Sequence, residues 1–376
     1  MLCLASWYPN KNNPTLGNFV EDHVMALKKQ YDVSVFFLTT TKQVSRLTLE
    51  KEKGEHLDIY KLYLPPSKSV FGKIRNYIKA YRFLFKHVQS PVDLAHVHVA
   101  FPAGLFALFL KTVYKIPFVI TEHWTGYLPE NGRFNKLGAL QRYWHRLIFK
   151  HSSDTMVVSS TLGEAIVGQG FLSSYKVIPN PVDEKVFFPI SEDKSLNSYH
   201  FIHISTCDDA QKNYTGILRA FHEAKILEPH ITLTLVTEND PSEIREMIKK
   251  LGINSNNISI FGRQPKKELA KLLQSADCLV LFSNYETFSI VLAEAWMCGK
   301  PCIYSKCGGL TEIKDNRLGI QILPKDETAL VKAFSDMSHR SHETDYIRNF
   351  ALKQFTAEKL LAVTKQAYEI TSQKRP

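Results

Sequence analysis

Two carboxylates eight residues apart, Glu286 and Glu294, enclose the run Thr287-Phe288-Ser289-Ile290-Val291-Leu292-Ala293 and lead into Ala295-Trp296-Met297-Cys298. The run follows an apolar strand expected at 278–283 through the short turn Asn284-Tyr285, so Glu286 stands where a helix should begin. At about 1.5 Å per residue, Glu294 would lie about 12 Å further along, on the face shared with Ile290, Val291 and Cys298. A carboxylate on so apolar a face needs partners. Two readings are open: the pair binds a ligand, or Glu286 complements the helix dipole and Glu294 hydrogen-bonds within the core. His123 closes an expected strand at 118–122 and His98 lies near the end of another at 95–99, the strand ends where open parallel sheets build sites. Gly17 lies in Asn13-Pro14-Thr15-Leu16-Gly17-Asn18-Phe19, between the first strand and a helix. It either lets backbone approach a phosphate or an acceptor, or makes a turn. Lys212, in Ala210-Gln211-Lys212-Asn213, follows an expected strand at 201–205 and reads on composition alone as a solvated surface lysine.

Other chemistries lack their residues. Cys298, Cys302 and Cys307 do not have the paired spacing of a structural zinc site, and no metal is expected there. There is no Asp-x-Asp to chelate a metal-bound nucleotide; Asp208 and Asp209 are adjacent. No Walker lysine loop or Gly-x-Gly-x-x-Gly follows a strand, and Gly168-Gln169-Gly170 follows a helical pattern and reads as its stop. Nucleotide hydrolase and dehydrogenase readings therefore fall.

The elements that must position these residues alternate between short apolar strands and helical patterns, the rhythm of parallel sheets covered on both faces. Strands are expected at 2–6, 33–38, 95–99, 118–122, 155–159 and 176–178, then at 201–205, 232–237, 258–261, 278–283, 301–304 and 319–323. Two sets of six imply an α/β chain of two doubly wound, Rossmann-like domains, with the site in a cleft between them. Ile178-Pro179-Asn180-Pro181-Val182 forces extended backbone, and Pro189 with the polar stretch 191–198 reads as a linker. The expected domains are 1–187 and 188–356. Residues 357–376 follow as a last helix.

The chain of 376 residues, 44% hydrophobic and 22% charged, has ordinary globular usage. Its most apolar stretch, 100–110, is far shorter than the roughly 20 residues that span a bilayer. The N-terminus lacks a basic n-region and meets Pro9 too early for a signal peptide, so a cytoplasmic protein is expected. The net charge of +10 is uneven: residues 1–185 carry 23 basic and 14 acidic side chains, the rest 24 and 23. Between residues 68 and 88, Ile74, Tyr77, Ile78, Tyr81, Leu84, Phe85 and Val88 recur at helical spacing beside Lys68, Lys73, Arg75, Lys79, Arg82 and Lys86. This is either a crossover helix with solvated charges or a face that meets anionic lipid. Nucleic acid is not expected, because no recognition motif accompanies the charge.

Taken together, Glu286-x7-Glu294, Ala295-Trp296-Met297-Cys298-Gly299-Lys300-Pro301 and Gly308-Gly309-Leu310-Thr311-Glu312-Ile313 resemble the donor-site signature of glycosyltransferase family 4, the glycosyl transferases group 1. Asp93-Leu94-Ala95-His96-Val97-His98 and Val177-Ile178-Pro179-Asn180-Pro181-Val182-Asp183 fall in the family's order, so the resemblance covers nearly the whole chain. It implies the GT-B fold and a retaining transfer from a nucleotide diphosphate sugar, without a bound metal or other cofactor, with the acceptor bound by domain 1–187, the nucleotide sugar by domain 188–356, and the last helix, 357–376, packed back toward the first domain. The acceptor is expected to be a saccharide or lipid-linked saccharide of bacterial surface polysaccharide. It further implies that Glu286 holds the donor sugar, Glu294 the ribose, and the backbone amides of Thr287, Phe288 and Ser289 the phosphates, with Ser289 in place of a more usual glycine. Lys212 matches the lysine that stabilises the leaving diphosphate, and His123, with His98 second, the histidine facing the donor sugar. The arginine usual before that lysine is absent from Ser205-Thr206-Cys207-Asp208-Asp209, and Arg263 is the expected substitute. The alternatives are a nucleotide-sugar 2-epimerase of the same fold and a non-enzymatic sugar-binding protein. An export signal is expected of the latter, and Glu-x7-Glu is not.

Overall fold

The computed structural model describes residues 1–88, 91–190 and 198–373 as two compact units, Met1–Pro181 with Ala357–Pro376, and Val182–Thr356. Unit 1 runs β1 (Leu2–Ala5), α1 (Asn18–Leu27), β2 (Val33–Thr40), β3 (Thr48–Gly54), β4 (Leu57–Leu64), α2 (Val70–Phe85), β5 (Ala95–His98), α3 (Gly104–Tyr114), β6 (Phe118–Glu122), α4 (Ala139–His151), β7 (Asp154–Val157), α5 (Ser160–Gly168) and β8 (Lys176–Val177). Unit 2 follows as β9 (Tyr199–Ser205), α6 (Asp209–Lys212), α7 (Tyr214–Leu227), β10 (Ile231–Thr237), α8 (Pro241–Lys250), β11 (Ile258–Phe261), α9 (Lys266–Ser275), β12 (Cys278–Leu281), α10 (Ile290–Met297), β13 (Cys302–Ser305), β14 (Gly319–Ile322), α11 (Glu327–Ser338) and α12 (Thr344–Gln354). The last helix, α13 (Ala357–Gln373), belongs to unit 1.

The strands of unit 1 lie in the order β3-β4-β2-β1-β5-β6-β7-β8, all parallel except the antiparallel pair β3 and β4. Those of unit 2 lie in the order β11-β10-β9-β12-β13-β14, all parallel. Each sheet reverses its winding once, between β1 and β5 in unit 1 and between β9 and β12 in unit 2. Every residue of β1, β5, β6, β12 and β13 is buried, as continuous apolar runs in doubly covered sheets should be.

The expected six-strand sheet in the first half gains the hairpin β3–β4. Glu50, Lys51, Glu52 and Lys53 make β3 read as solvated, yet this suits the edge strand that it is. Its charges are used across the pair: Lys61 Nζ lies 3.0 Å from Glu52 Oε1, and the Tyr63 hydroxyl donates to Glu50 Oε2 at 2.6 Å.

Unit 2 begins at Val182, earlier than the expected boundary after 187. The Val182 amide donates to Phe355 O at 2.7 Å, and the fully buried Phe187 packs in the core of this unit. Of the expected linker 191–198, residues 191–197 lie outside the described residues. Helix α13 places Leu360, Leu361, Ala367 and Tyr368 in one core with Val20, Val24 and Leu27 of α1, and the Tyr368 hydroxyl meets His96 Nδ1 at 2.7 Å. Leu292 to Met297 of α10 are all buried, the expected fate of a helix apolar on every side. Trp296 at its centre donates to Leu318 O at 3.1 Å and stacks on Phe355.

Helix α2 divides the stripe expected of it. Ala80, Tyr81 and Leu84 are buried, whereas Ile74 and Ile78 are exposed together with Phe71 and Phe83. Arg75, Lys79, Arg82 and Lys86 are exposed among them.

Candidate functional site

In unit 2 three loops leave the carboxyl ends of neighbouring strands at the point where the winding reverses. After β9 the chain makes the short helix α6, capped by the Asp208 side chain, which accepts from the Ala210 amide. After β12 it runs through Ser283, Asn284 and Tyr285 to Glu286. The two loops are tied by the Asn284 amide to Gln211 O at 2.7 Å and by Asn284 Nδ2 to Ala210 O at 3.0 Å. The result is that Lys212, the last residue of α6, sets its Nζ 2.5 Å from Glu286 Oε1, which also accepts from Ser283 Oγ at 2.8 Å.

Glu286 is only 3% exposed, and the Lys212 side chain 16%. A buried carboxylate without a counter-charge would be costly, so each charge is the condition for the other. Among the described residues Glu286 Oε2 has no hydrogen-bond partner, which leaves one oxygen of the carboxylate able to accept from a ligand.

The third loop follows β13. Cys307 Sγ donates to Ser283 O at 3.4 Å, and a Cβ on Gly308 would stand 1.6 Å from Glu286 O. With φ at +48°, Gly308 is where the backbone must be bare, so the Gly308-Gly309 step lets this loop close on Glu286. Ser283, Asn284 and Gly308 are the supporting residues that sequence reasoning missed. Gly308 stood in the quoted motif, but its close contact is made with a residue 22 positions away.

The helix starts later than expected. Ser289 is the N-cap and α10 begins at Ile290, so Glu286, Thr287 and Phe288 precede it in the loop. The amides of Ile290, Val291 and Leu292 therefore open the helix, and the expected set at 287–289 lies in the loop and N-cap that lead into it. Glu294 then lies about 6 Å along the axis from Ile290, and the eight helical rises expected from Glu286 do not apply. It is 5% exposed, on a helix whose neighbouring residues are buried. Thr287 and Ser289 are buried as well. Arg263 follows the edge strand β11, two strands from β9; it is exposed and makes no ion pair or side-chain hydrogen bond among the described residues. The structure thus brings Lys212 to Glu286, and Arg263 takes no part in that ion pair.

In unit 1 the corresponding strand ends carry a buried carboxyl and two histidines. Glu122, fully buried at the end of β6, accepts from the His123 and Trp124 amides at Oε1 and from the Ala100 amide at Oε2, all within 2.9 Å. Burial pushes its carboxyl above the usual range, while the three amides pull it back. It fixes the turns after both β5 and β6, and sequence reasoning saw it only as a strand end. His98 Nδ1 meets His123 Nε2 at 3.4 Å, and His98 Nε2 is buried with no partner among the described residues. Phe19 and His23 of α1 pack on the His123 ring at 4.5 and 5.2 Å. His23 Nε2 in turn meets Asn180 Oδ1 at 3.0 Å. The two expected histidines are therefore brought together in an aromatic cluster. Gly17 is the N-cap of α1 at φ +68°, where a Cβ would stand 2.6 Å from the Trp7 carbonyl, so the turn requires a glycine here.

Residues 192–354 match the family model for glycosyl transferases group 1, and residues 16–186 that for glycosyltransferase family 4. The N-acetyl-alpha-D-glucosaminyl L-malate synthase of Bacillus anthracis is 27% identical over 300 residues, 74% of this chain and 75% of that protein. Sucrose-phosphate synthase from Thermosynechococcus elongatus is structurally similar with a TM-score of 0.78 at 19% identity, covering 98% of each chain. Anabaena HepE, solved in complex with UDP and glucose, gives a TM-score of 0.74 at 15% identity over 98% of this chain and 99% of that one. The two parallel-sheet units are those of the GT-B fold. The 2-epimerase alternative gains no support from these matches.

The buried histidines of unit 1 make its stability depend on pH. Burial lowers His23 to about 4 and His96 to about 3 from 6.5, and holds His98 and His123 well below their ordinary value. Between about pH 6.5 and pH 4 the unfolded chain therefore binds protons that the folded chain refuses. Stability rises with pH across this window and is lost as the pH falls through it, by about 1.4 kcal/mol per pH unit for each such histidine. Glu122 works in the opposite sense, because its raised value lets the folded state take a proton first, but it stands against four imidazoles. The thermal midpoint measured by calorimetry should fall steadily from pH 6.5 to pH 5. A midpoint that is flat over that interval would mean that these imidazoles titrate normally in the fold.

Proposed function

The chain belongs to glycosyltransferase family 4 and the glycosyl transferases group 1, and we propose that it transfers a sugar from a nucleotide diphosphate sugar to an acceptor hydroxyl with retention at the anomeric carbon. The observation that carries this reading is the Lys212–Glu286 pair beside the open amides of α10. An ammonium has three hydrogens to donate, and Glu286 takes one, leaving two for phosphate oxygens. The amides of Ile290, Val291 and Leu292 add a site for an anion at the positive end of the helix. Glu286 Oε2 then accepts from a hydroxyl of the sugar, while Glu294, further along the same helix, holds the ribose. The complex of HepE with UDP and glucose supports a donor of this class.

In the proposed reaction the bond from the anomeric carbon to the diphosphate oxygen breaks with both electrons going to oxygen. Lys212 and the helix amides stabilise the charge that develops there. The acceptor oxygen bonds to the anomeric carbon on the face the diphosphate leaves, and its proton passes to the departing phosphate. Glu286 and Glu294 are binding groups here, unlike the acid and base pair of a glycosidase. His98 and His123, neutral and buried, hydrogen-bond to sugar hydroxyls and leave the proton transfer to phosphate. No metal or other cofactor takes part. The acceptor is a saccharide or lipid-linked saccharide of bacterial surface polysaccharide, and the reaction is cytoplasmic.

Helix α2 supports a place for this enzyme at an anionic membrane, where a lipid-linked acceptor is presented. Phe71 is 78% exposed, and with Ile74 and Ile78 it stands among Arg75, Lys79, Arg82 and Lys86, without an acidic residue in the helix. Apolar side chains at the headgroup boundary, with a basic rim worth about 1 kcal/mol per residue, give salt-sensitive attachment.

Two measurements check these readings. Glu286→Ala should lower turnover at least ten-fold with the fold retained by circular dichroism, and the product of the unaltered enzyme should keep the donor's anomeric configuration by NMR. Near-normal turnover would remove Glu286 from the site, and an inverted product would exclude retention. In cosedimentation, binding to vesicles should need anionic lipid, weaken in high salt, and fall when Arg75, Lys79, Arg82 and Lys86 are changed to glutamine. Equal recovery with neutral vesicles would leave α2 as a crossover helix with solvated charges.

A further inference from the structure

At the opposite end of the unit 2 sheet, before β10 begins, three side chains from three segments converge: Glu228 at the end of α7, His230 in the loop that follows, and His339 at the end of α11. His339 Nε2 lies 3.0 Å from Glu228 Oε2 and His230 Nδ1 3.6 Å from the same oxygen. One donor atom from each residue lies within 4.8 Å of the other two. We propose that this trio is a binding site for a divalent first-row transition metal ion of the zinc class.

The geometry suits that ion. Bonds of about 2.0–2.2 Å in a tetrahedron set neighbouring ligand atoms about 3.4 Å apart, and the two measured separations bracket this value. Two imidazoles and one carboxylate are the donor set that such ions take, with the fourth position left to water. Glu228 is held for the purpose by Ser335, one turn before His339 on α11, whose Oγ donates to Glu228 Oε1 at 2.6 Å. Oε2 is thereby directed to the histidines.

A second observation is independent of the ligand distances. Glu228 is the C-cap of the 14-residue helix α7 and His339 the C-cap of the 12-residue helix α11, so two helices bring their negative ends to one point. Converging carbonyl ends favour a cation. The nearby Lys225 ammonium does not fill this place: its Nζ donates to Pro229 O at 2.5 Å and to Ile231 O at 2.7 Å. The His339 side chain is 63% exposed and that of His230 33%, which leaves a path for an ion to enter.

A bound ion would pin the ends of α7 and α11, which are also joined by the Arg219–Glu327 ion pair and by a shared core that includes Phe221 packed on Phe334. Lys212 and Glu286 follow the carboxyl ends of the strands, whereas Ile231 opens β10 at the amino ends. The metal therefore acts on stability and not on the chemistry proposed above, and this inference stands whether or not that reading does.

Isothermal titration of the metal-free protein with zinc chloride should give one site per chain, and zinc should raise the thermal midpoint. His230→Ala, at a half-buried position, and His339→Ala, at an exposed one, should each weaken binding at least ten-fold and abolish the rise in midpoint. Serine at position 335 changed to alanine, Ser335→Ala, should weaken binding by less. Absence of a one-to-one site, or an affinity in the histidine variants equal to that of the unaltered protein, would overturn the assignment. A single adventitious histidine elsewhere would give the second outcome.

Discussion

An ammonium and a carboxylate, held 2.5 Å apart with little water around them, set the terms for unit 2. Neither Lys212 nor Glu286 is tolerable alone at its degree of burial, so the loops that carry them must close together or not at all. The bonds from Asn284 to Gln211 and Ala210 are the backbone expression of this requirement. Gly308 is its steric counterpart, because any side chain there would occupy the space of the Glu286 carbonyl. The strand order supplies the rest: β9 and β12 are neighbours although β10 and β11 intervene in sequence, and that reversal is what brings residues 74 positions apart into contact.

Unit 1 solves the same topological problem without an ion pair at its two histidines. Its strand ends carry His98 and His123, buried imidazoles kept neutral by desolvation, with Glu122 tying their turns through three amides. A neutral imidazole can donate and accept a hydrogen bond, which suits sugar hydroxyls, whereas a lysine beside helix amides suits phosphate. The two units thus present different chemistry at equivalent places in similar sheets. Both depend on parts of the chain remote in sequence: Phe355 closes on Val182 in unit 2, and Tyr368 reaches His96 in unit 1.

The sheet strands of unit 2 were legible because buried parallel strands are short, apolar and regularly spaced. Lys212 and Glu286 were legible only through a motif, since an exposed-looking lysine 74 residues before a glutamate gives no local sign that the two will pair. The start of α10 was not legible, because Glu286, Thr287 and Phe288 have no strong preference against the first turn, and the helix yields there to the demand of the ion pair on the loop. The edge strand β3 was hidden for the opposite reason, its charges being partnered across a hairpin rather than along a helix. In α2 periodicity found the helix but not which apolar residues it buries, because Phe71, Ile74 and Ile78 lie outside the arc covered by the sheet.

The central claim is that Lys212 and Glu286 act as one unit in donor chemistry. The direct measurement is a double-mutant cycle with Lys212→Met, Glu286→Gln and the combined variant, read as kcat/KM for the donor. If the pair acts as a unit, the combined loss should be close to that of the worse single variant, a coupling of about 1–3 kcal/mol. Losses that simply multiply would show two independent groups that happen to touch, and would contradict the account.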